Sequence, residues 1–405
     1  MTQRKAIIVG GSMAGLFAAN MLCRNGWDVS VFERSPAPLS GRGTGIVTHA
    51  GMLALLRKAG VDTSGDLGVP LTRRLSIAKS GEVRAETRFE QILMGWSKLY
   101  ALLQAALPRD VYHLNRSVCA VDCGSETQSP LVTCQSGHTD TADVVIAADG
   151  VRSAIREMLM PGESAVAAPY VAWRGMARMD TLSRAAQQQL GQAFVVVTEP
   201  DEEMVTYPVL GDDGAVYINF VWYRLVTTEE RVDLFSDSEG NHFPQGISPR
   251  AIKPEHALRA RAAATELFHA HIAEVVEATP ELLLQVIVDQ TASRMTQGRV
   301  ALIGDAAFVA RPHVGQGVTK AGGDAWALTT CLSDPCASVV DALQRYNALR
   351  LPVGVSAVER ARELGAVLIP ACDTTPTMSR WRDHYLNATA LLSDTAVELP
   401  GLAHV

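Results

Sequence analysis

The chain has 405 residues, of which 47% are hydrophobic and 20% charged, so it can bury a large core and is long enough for two or three domains. Its net charge of -7 comes from interspersed acidic and basic residues, which argues against a nucleic-acid surface or a polybasic membrane patch. The seven cysteines form no CxxC pair and no zinc-finger cluster, so we expect reduced thiols, a cytoplasmic location and no metal.

The N-terminal segment predicts a strand, a glycine turn and a helix. An apolar run, residues 6–9, leads into Gly10, and apolar residues then recur at helical spacing. Gly10, Ser12 and Gly15 form a GxSxxG variant of the dinucleotide-binding fingerprint, and a second apolar strand ends in Glu33, where its ribose-binding carboxylate is expected. A glycine turn alone also fits simple strand–helix punctuation. The fingerprint does not separate FAD from NAD, because both contain the same ADP half.

Three further segments place charged residues in loops next to predicted strands. Arg42 and Gly43 lie in a glycine-rich stretch after the second strand, where the backbone can pass close to a cofactor, although a surface turn also fits. Two apolar strands, residues 142–148 and 300–303, each deliver an acidic residue to a turn before a helix, namely Asp149 and Asp305. The sequence therefore predicts three strand-to-helix corners of one kind.

With these corners in order, the chain resembles the class A flavoprotein aromatic hydroxylases, the group of para-hydroxybenzoate hydroxylase. The resemblance covers roughly residues 1–165 and 285–365. The segments FERSPAPLSGRGTGI, YVAWRG and RMTQGRVALIGDAAFVARPH are most similar to the 2,6-dihydroxypyridine 3-hydroxylases of that family. Two positions depart from the wider pattern, since Phe308 replaces the histidine of GDAAH and Lys98 stands in a WSKL segment instead of RxxL.

The resemblance implies a single-component monooxygenase that binds FAD non-covalently, with NADH or NADPH as a transient co-substrate. Reduced flavin would form a C4a-hydroperoxide with O2 and hydroxylate a small, electron-rich, hydroxypyridine-like ring. We also expect the helix start after Pro312 to face the flavin, with the Val318 and Thr319 amides near its N1/C2=O edge. The predicted cofactor residues are Gly10, Gly11, Ser12, Met13, Ala14, Gly15, Glu33, Arg34, Arg42, Gly43, Asp149, Gly304, Asp305, Pro312, Gly315, Gln316, Gly317, Val318 and Thr319.

Two residues are candidates for handling the proton of a ring hydroxyl. His313 has a near-neutral ordinary pKa and follows the loop proline, although a histidine that only holds its own loop fits as well. Tyr207 is the weaker candidate, because a tyrosine in a strand often serves packing. Trp173, Arg174 and Trp222 could line a ring pocket or pack inside a sheet.

The predicted fold is mixed α/β: a Rossmann-type FAD-binding domain, an inserted, mainly antiparallel substrate domain, and C-terminal helices. The boundaries are 1–165 and 285–365 for the two FAD-binding parts, 166–284 for the insert and 366–405 for a helical tail that could mediate a homodimer. Helical spacing covers residues 255–278 and 338–351, ending before Pro352. A non-hydroxylating FAD oxidoreductase and an FAD-binding sensor or scaffold are the alternative functions.

Overall fold

The computed structural model describes residues 3–39, 45–369 and 375–403, and its elements are numbered in chain order. The strands are β1 (Lys5–Val9), β2 (Asp28–Phe32), β3 (Gly45–Thr48), β4 (Val69–Ile77), β5 (Val83–Gly95), β6 (Tyr112–His113), β7 (Val118–Asp122), β8 (Leu131–Cys134), β9 (Thr139–Thr141), β10 (Val144–Ala147), β11 (Val166–Arg178), β12 (Phe194–Glu199), β13 (Glu202–Leu210), β14 (Val216–Leu225), β15 (Leu283–Thr291), β16 (Thr296–Gln297), β17 (Val300–Leu302) and β18 (Phe308–Val309).

Helices connect these strands and cover the sheets. They are α1 (Met13–Arg24), α2 (Ala50–Lys58), α3 (Trp96–Ala105), α4 (Ala154–Leu159), α5 (Arg184–Leu190), α6 (Thr228–Leu234), α7 (Pro254–Leu267), α8 (Ala270–Ala278), α9 (Gly317–Leu332), α10 (Val339–Leu364), α11 (Pro376–Tyr385) and α12 (Ala388–Asp394). The described part of the chain contains no helix that is both long and apolar enough to cross a membrane.

A six-stranded sheet with the order β16-β17-β10-β1-β2-β6 forms the first layer. Its strands pair in parallel except β16, which is antiparallel to β17. Both β1 and β10 are almost entirely buried, as expected for short apolar strands that are covered on both faces. The helices α1 and α9 pack on this sheet and share its core. The predicted Rossmann-type part of the fold is confirmed.

A nine-stranded sheet with the order β18-β15-β11-β14-β13-β12-β4-β5-β3 forms the second layer. Its pairings are antiparallel except that of β12 with β4. Side chains alternate between the two faces of a strand, so Trp173 and Trp222 enter a core shared with α7 and α8. Their neighbours Arg174 and Tyr223 line a cavity on the opposite face. The mixed α/β fold class is confirmed, and the sheet also takes three strands from residues 45–95.

Two helix boundaries differ from the prediction. The helix α10 continues through Pro352 to Leu364, because the proline lies on the exposed face and water can solvate the carbonyl of the exposed Ala348 that it leaves unpaired. Residues 255–278 form two helices instead of one. At Phe268 the backbone becomes extended, which places its ring edge-on against Trp222 with 5.3 Å between centroids.

Candidate active site

The turn after β1 is shaped by backbone contacts that only glycine tolerates. Gly10 has φ +102°, and a Cβ there would lie 2.3 Å from the Ala148 carbonyl oxygen. A Cβ on Gly15 would lie 1.9 Å from the Gly10 carbonyl oxygen, so this glycine lets α1 pack directly on the turn. Ser12 precedes α1 and its side chain makes no capping hydrogen bond. The turn thus presents free helix-terminal amides and a hydroxyl, the groups that bind a phosphate.

Glu33 lies at the end of β2, beside this turn. It is 6% exposed, and its two carboxylate oxygens accept hydrogen bonds from the amides of Gly11 and Ser35, each at 2.8 Å. A carboxylate held in this way keeps lone pairs for further donors, such as the hydroxyls of a ribose. The next side chain, Arg34, is exposed and lines the cavity. Arg42 and Gly43 lie outside the described residues.

The second corner follows β10, where Asp149 accepts hydrogen bonds from the Ser153 hydroxyl at 2.5 Å and the Ile155 amide at 3.3 Å. Burial raises the pKa of the Asp149 carboxyl, while these hydrogen bonds act in the opposite direction. The buried Arg156 donates to the carbonyl of Ala306 at 2.9 Å. This bond ties the Asp149 corner to the Asp305 corner, which lies about 150 residues later in the chain.

The third corner, after β17, presents a carboxylate to the cavity. Asp305 lines the cavity, and its side chain makes no hydrogen bond within the described residues. Burial raises the pKa of its carboxyl; the nearby Lys320 opposes this rise and Asp324 adds to it. Gly304 has φ +59°, and a Cβ on it would lie 2.7 Å from the Cβ of Ala14. This close approach joins the corner to the first turn of α1.

The loop before α9, residues 312–318, forms another wall and is called the α9 loop below. Pro312, Gly315, Gln316, Gly317 and Val318 all line the cavity. The first hydrogen bond across the start of α9 runs from the Lys320 amide to the Gln316 carbonyl, so the amides before Lys320 have no partner within the helix. Thr319 is 1% exposed and is not part of the cavity lining. The positive end of α9 therefore points towards the cavity.

The Asp149 corner, the Asp305 corner and the α9 loop meet at one cavity of about 1090 Å³ between the two sheets. The cofactor side is formed by the Asp149 and Asp305 corners and by the α9 loop, whereas the fingerprint residues and Glu33 lie beside the lining rather than in it. The opposite side is formed by β11, β13, β14 and β15 of the large sheet, through Arg174, Val205, Tyr207, Tyr223 and Val286, among others. The lining combines apolar side chains with charged groups such as Asp305 and Arg174, and convergent polar groups in a concave, partly apolar cavity are typical of small-molecule sites.

Two tyrosines stand on the sheet side. Tyr207 donates a hydrogen bond to the Gly45 carbonyl at 3.0 Å and stacks on Phe194 with 5.4 Å between centroids. Burial raises the pKa of Tyr207 to about 12, which favours the neutral hydroxyl, a donor rather than a base, at physiological pH. Tyr223 is 2% exposed and its pKa is also raised by burial. Within the described residues its hydroxyl makes no hydrogen bond.

His313 also lines the cavity, and both nitrogens of its ring make hydrogen bonds. Its Nε2 lies 2.9 Å from the Tyr170 hydroxyl and its Nδ1 lies 3.1 Å from Oε1 of Glu203. The ring of Tyr223 covers it at 4.1 Å between centroids. Arg311 donates to the Tyr170 hydroxyl at 3.2 Å and forms a buried ion pair with a carboxylate of β15. His313 thus belongs to a hydrogen-bonded chain rather than standing alone in a loop.

Several residues around His313 were not predicted from the sequence, because they come together from four separate segments. Glu203 carried a usable signal, since it and Glu202 are acidic residues at the start of a buried, mainly apolar strand. Tyr170, Tyr223 and Arg311 look like ordinary strand and loop residues in the sequence. Of the suggested pocket residues, Arg174 lines the cavity, while Trp173 and Trp222 pack in the core on the other face.

Known proteins that are similar to this chain include FAD-binding monooxygenases. The family described as "FAD binding domain" matches residues 3–361. The chain is 30% identical to 2,6-dihydroxypyridine 3-monooxygenase of Paenarthrobacter nicotinovorans over 375 residues, 91% of this chain and 92% of the relative. It is 26% identical to 6-hydroxynicotinate 3-monooxygenase of Pseudomonas fluorescens, over 81% of this chain and 82% of the relative.

Among solved structures, 2,6-dihydroxypyridine-3-hydroxylase of Arthrobacter nicotinovorans superimposes with a TM-score of 0.85 at 28% identity, over 91% of this chain and 93% of that one. The glycine turn fits the phosphates of FAD, and the hydroxyl of Ser12 and the carboxylate of Asp305, neither of which has a hydrogen-bond partner among the described residues, fit its phosphates and sugar hydroxyls. The chain therefore belongs to the FAD-binding-domain family and is a member of its class A aromatic monooxygenases.

Proposed function

We propose that this protein uses NADH or NADPH and O2 to hydroxylate a small hydroxypyridine-like ring in the cavity between its two sheets. The single observation that carries the proposal is the cavity itself, which joins the Asp305 corner and the α9 loop to a wall of tyrosines. The names of the two relatives, a dihydroxypyridine and a hydroxynicotinate monooxygenase, support the ring class. When FAD is bound and reduced, it supplies the electrons and the activation of oxygen.

The cofactor side would hold FAD through contacts already described. The turn from Gly10 to Gly15 binds the pyrophosphate at the start of α1, and Glu33 accepts from the adenosine ribose. Asp305 accepts from hydroxyl groups nearer the flavin ring, which agrees with its unpaired carboxylate in the cavity. The amides at the end of the α9 loop, where α9 begins, would stabilise negative charge on the flavin through the positive end of that helix. Asp149 holds its own turn by the bonds from Ser153 and Ile155.

The sheet side would bind and orient the ring. Tyr223 lines the cavity and its hydroxyl makes no hydrogen bond within the described residues, so it is available to a hydroxyl or ring nitrogen of the substrate. Arg174 and Arg311 line this side and present N–H donors to a hydroxypyridine ring, while the charge of Arg311 is balanced by its ion pair with Asp289. A ring of this kind is electron-rich, which is what attack on activated oxygen requires.

His313 is the proposed acceptor of the ring proton. Glu203 accepts from Nδ1, which fixes the orientation of the imidazole ring and leaves Nε2 as the acceptor atom. The acceptor atom would be Nε2, which the Tyr170 hydroxyl occupies in this structure. Uptake of a proton at Nε2 therefore requires that this hydroxyl turns away, and Arg311 at 3.2 Å is already bonded to it. Tyr207, a neutral donor, contributes position rather than proton uptake.

The decisive test is oxidation of NADH and NADPH by the FAD-loaded protein with a panel of hydroxypyridines, hydroxynicotinates and phenols, with the products weighed by mass spectrometry. We expect one hydroxypyridine to stimulate oxidation strongly and to gain one oxygen atom. Stimulation without oxygen gain for every compound would instead support a non-hydroxylating FAD oxidoreductase. No binding of FAD at all would overturn the assignment of the cofactor side.

The role of Asp305 has its own test. We expect Asp305→Ala to purify with much less FAD, because the variant loses the unpaired carboxylate that would accept from the cofactor. Asp334→Ala is the control, since that carboxylate lies on the surface in an ion pair with Arg345. The FAD content is measured by absorbance against protein. Full FAD occupancy in Asp305→Ala would refute the role.

A further inference from the structure

Residues 395–403, which follow α12 and are called the C-terminal strap here, form part of the cavity wall. Thr395 and Ala396 line the cavity beside the α9 loop. The Ala396 amide donates to the His313 carbonyl at 3.2 Å. A Cβ on Gly315 would lie 2.7 Å from the Cβ of Ala396. The strap is therefore in direct contact with the segment that carries His313.

A buried arginine holds the start of the strap. Arg74 is 0% exposed, and its guanidinium group donates to the carbonyls of Leu392 at 3.0 Å, Thr395 at 2.5 Å and Ala396 at 3.1 Å. Gln91 also accepts from it, at 2.6 Å. No carboxylate pairs with Arg74 within the described residues. The carbonyls at the end of α12 thus supply the negative charge that compensates the buried cation.

The other end of the strap is fixed to the cofactor side. Arg350 donates to the carbonyls of Gly401 at 2.7 Å and Leu402 at 3.2 Å, and its Nε donates to Asp324 at 2.9 Å. The second oxygen of Asp324 accepts from the Gly304 amide at 3.0 Å. One stretch of chain therefore connects the sheet side of the cavity to the Asp305 corner.

We propose that the strap is a specificity-determining wall of the ring-binding end, and that Arg74 is the residue that positions it. Ala396 packs in one cluster with Phe194 and Tyr207, so the small size of its side chain sets the space left for the ring. Arg74 is absent from the cavity lining; it holds the strap and also stacks on Phe194, which is part of the lining. This inference rests on the proposed function for the nature of the ring, but not for the position of the strap.

The test compares Arg74→Met with Arg261→Met. Arg261 makes the same kind of contact, donating to the carbonyls of Val276, Glu277 and Thr279 at the end of α8, far from the cavity lining. We expect Arg74→Met to raise the KM of the ring substrate about ten-fold and to lower the fraction of NAD(P)H oxidation that yields product. Arg261→Met should lose stability while it keeps both values. FAD content should stay at the parent level in both variants.

Limited proteolysis tests the position of the strap without measuring catalysis. We expect chymotrypsin to cleave Arg74→Met around Leu391 and Leu392 faster than the parent, because the bonds that hold these residues are gone. Arg261→Met should be protected at this site. Faster cleavage with an unchanged KM and coupling would overturn the proposal, as would equal effects of the two variants. If the parent hydroxylates no ring compound, the proposed function fails, while the cleavage result still tests the position of the strap.

Ala396→Gly provides a variant that should fold. Ala396 has φ +50°, a conformation that glycine adopts without strain, and the substitution removes only the methyl group at the wall. We expect this variant to accept a substrate that carries one extra methyl group with a KM at least about three-fold lower than that of the parent. An unchanged ranking of methylated and unmethylated rings would show that the strap does not set specificity.

Discussion

The two sides of the cavity are built in different ways. On the cofactor side, the backbone fixes the geometry: a Cβ on Gly10 or Gly15 would lie within 2.3 Å of a carbonyl oxygen, and a Cβ on Gly304 would meet α1. On the ring side, side chains from separate strands fix it, as in the contact of His313 with Tyr170 and Glu203. The cofactor side depends on positions where no side chain fits, and the ring side depends on particular side chains being present.

This difference predicts two kinds of failure. A change on the cofactor side alters the path of the main chain and should affect FAD binding and folding together. A change on the ring side leaves the main chain in place and should affect turnover while FAD remains bound. The following predictions test whether the two sides separate as cleanly as the contacts indicate.

The largest effect is expected for Gly15→Ala. The added Cβ would lie 1.9 Å from the Gly10 carbonyl oxygen, which no rotamer can relieve, so we expect a loss of more than about 3 kcal/mol in unfolding free energy and of most bound FAD. Gly65→Ala is the control, because nothing lies within 4 Å of its Cβ, and it should change stability by less than about 0.5 kcal/mol. Denaturant unfolding and flavin absorbance measure both. Similar behaviour of the two variants would contradict the steric argument.

An intermediate effect is expected for Glu203→Gln. The substitution keeps the shape of the side chain but replaces the carboxylate that holds Nδ1 of His313 with an amide, so we expect kcat to fall by about ten- to a hundred-fold with unchanged FAD content. Glu202→Gln is a matched control on the same strand, because Glu202 points to the other face and accepts from Trp222 and Arg224. It should lose stability but keep kcat. If His313→Ala turned over at the parent rate across pH, the proposed base would be wrong.

The smallest effect is expected for Tyr207→Phe, which loses one hydrogen bond to Gly45 worth about 1 kcal/mol but keeps the stack on Phe194. Burial raises the pKa of Tyr207 to about 12, above the value of about 10 in the unfolded chain. Its contribution to stability is therefore complete below pH 10 and is lost as the pH rises towards 12. The free energy of unfolding, measured at pH 9 and at pH 11, should fall less between these two pH values in Tyr207→Phe than in the parent. Equal losses would show that Tyr207 titrates normally.

The same difference explains what the sequence could reveal. Gly10, Gly15 and Gly304 are recognisable because steric rules tie them to local turns, so the fold class and the corners were predicted from short windows. The hydrogen bond between Glu203 and His313 was not predicted, because β13 and the α9 loop lie about 110 residues apart in the sequence. Arg74 shows this most clearly, since the three carbonyl groups that it binds lie more than 300 residues away. No local pattern in the sequence marks a cation that caps a distant helix.

The large sheet carries a consequence for engineering. Its nine strands come from three stretches of chain, residues 45–95, 166–225 and 283–309, and β4 pairs with β12 across them. Strands of the parallel sheet interrupt this sequence: β10 at Val144–Ala147 lies between the first two stretches, and β17 at Val300–Leu302 lies within the third, between β15 and β18. A chimera that borrows the ring-binding half of a relative must therefore exchange at least three separate pieces at matched registers, and a single transplanted cassette would leave unpaired edges inside the donor sheet.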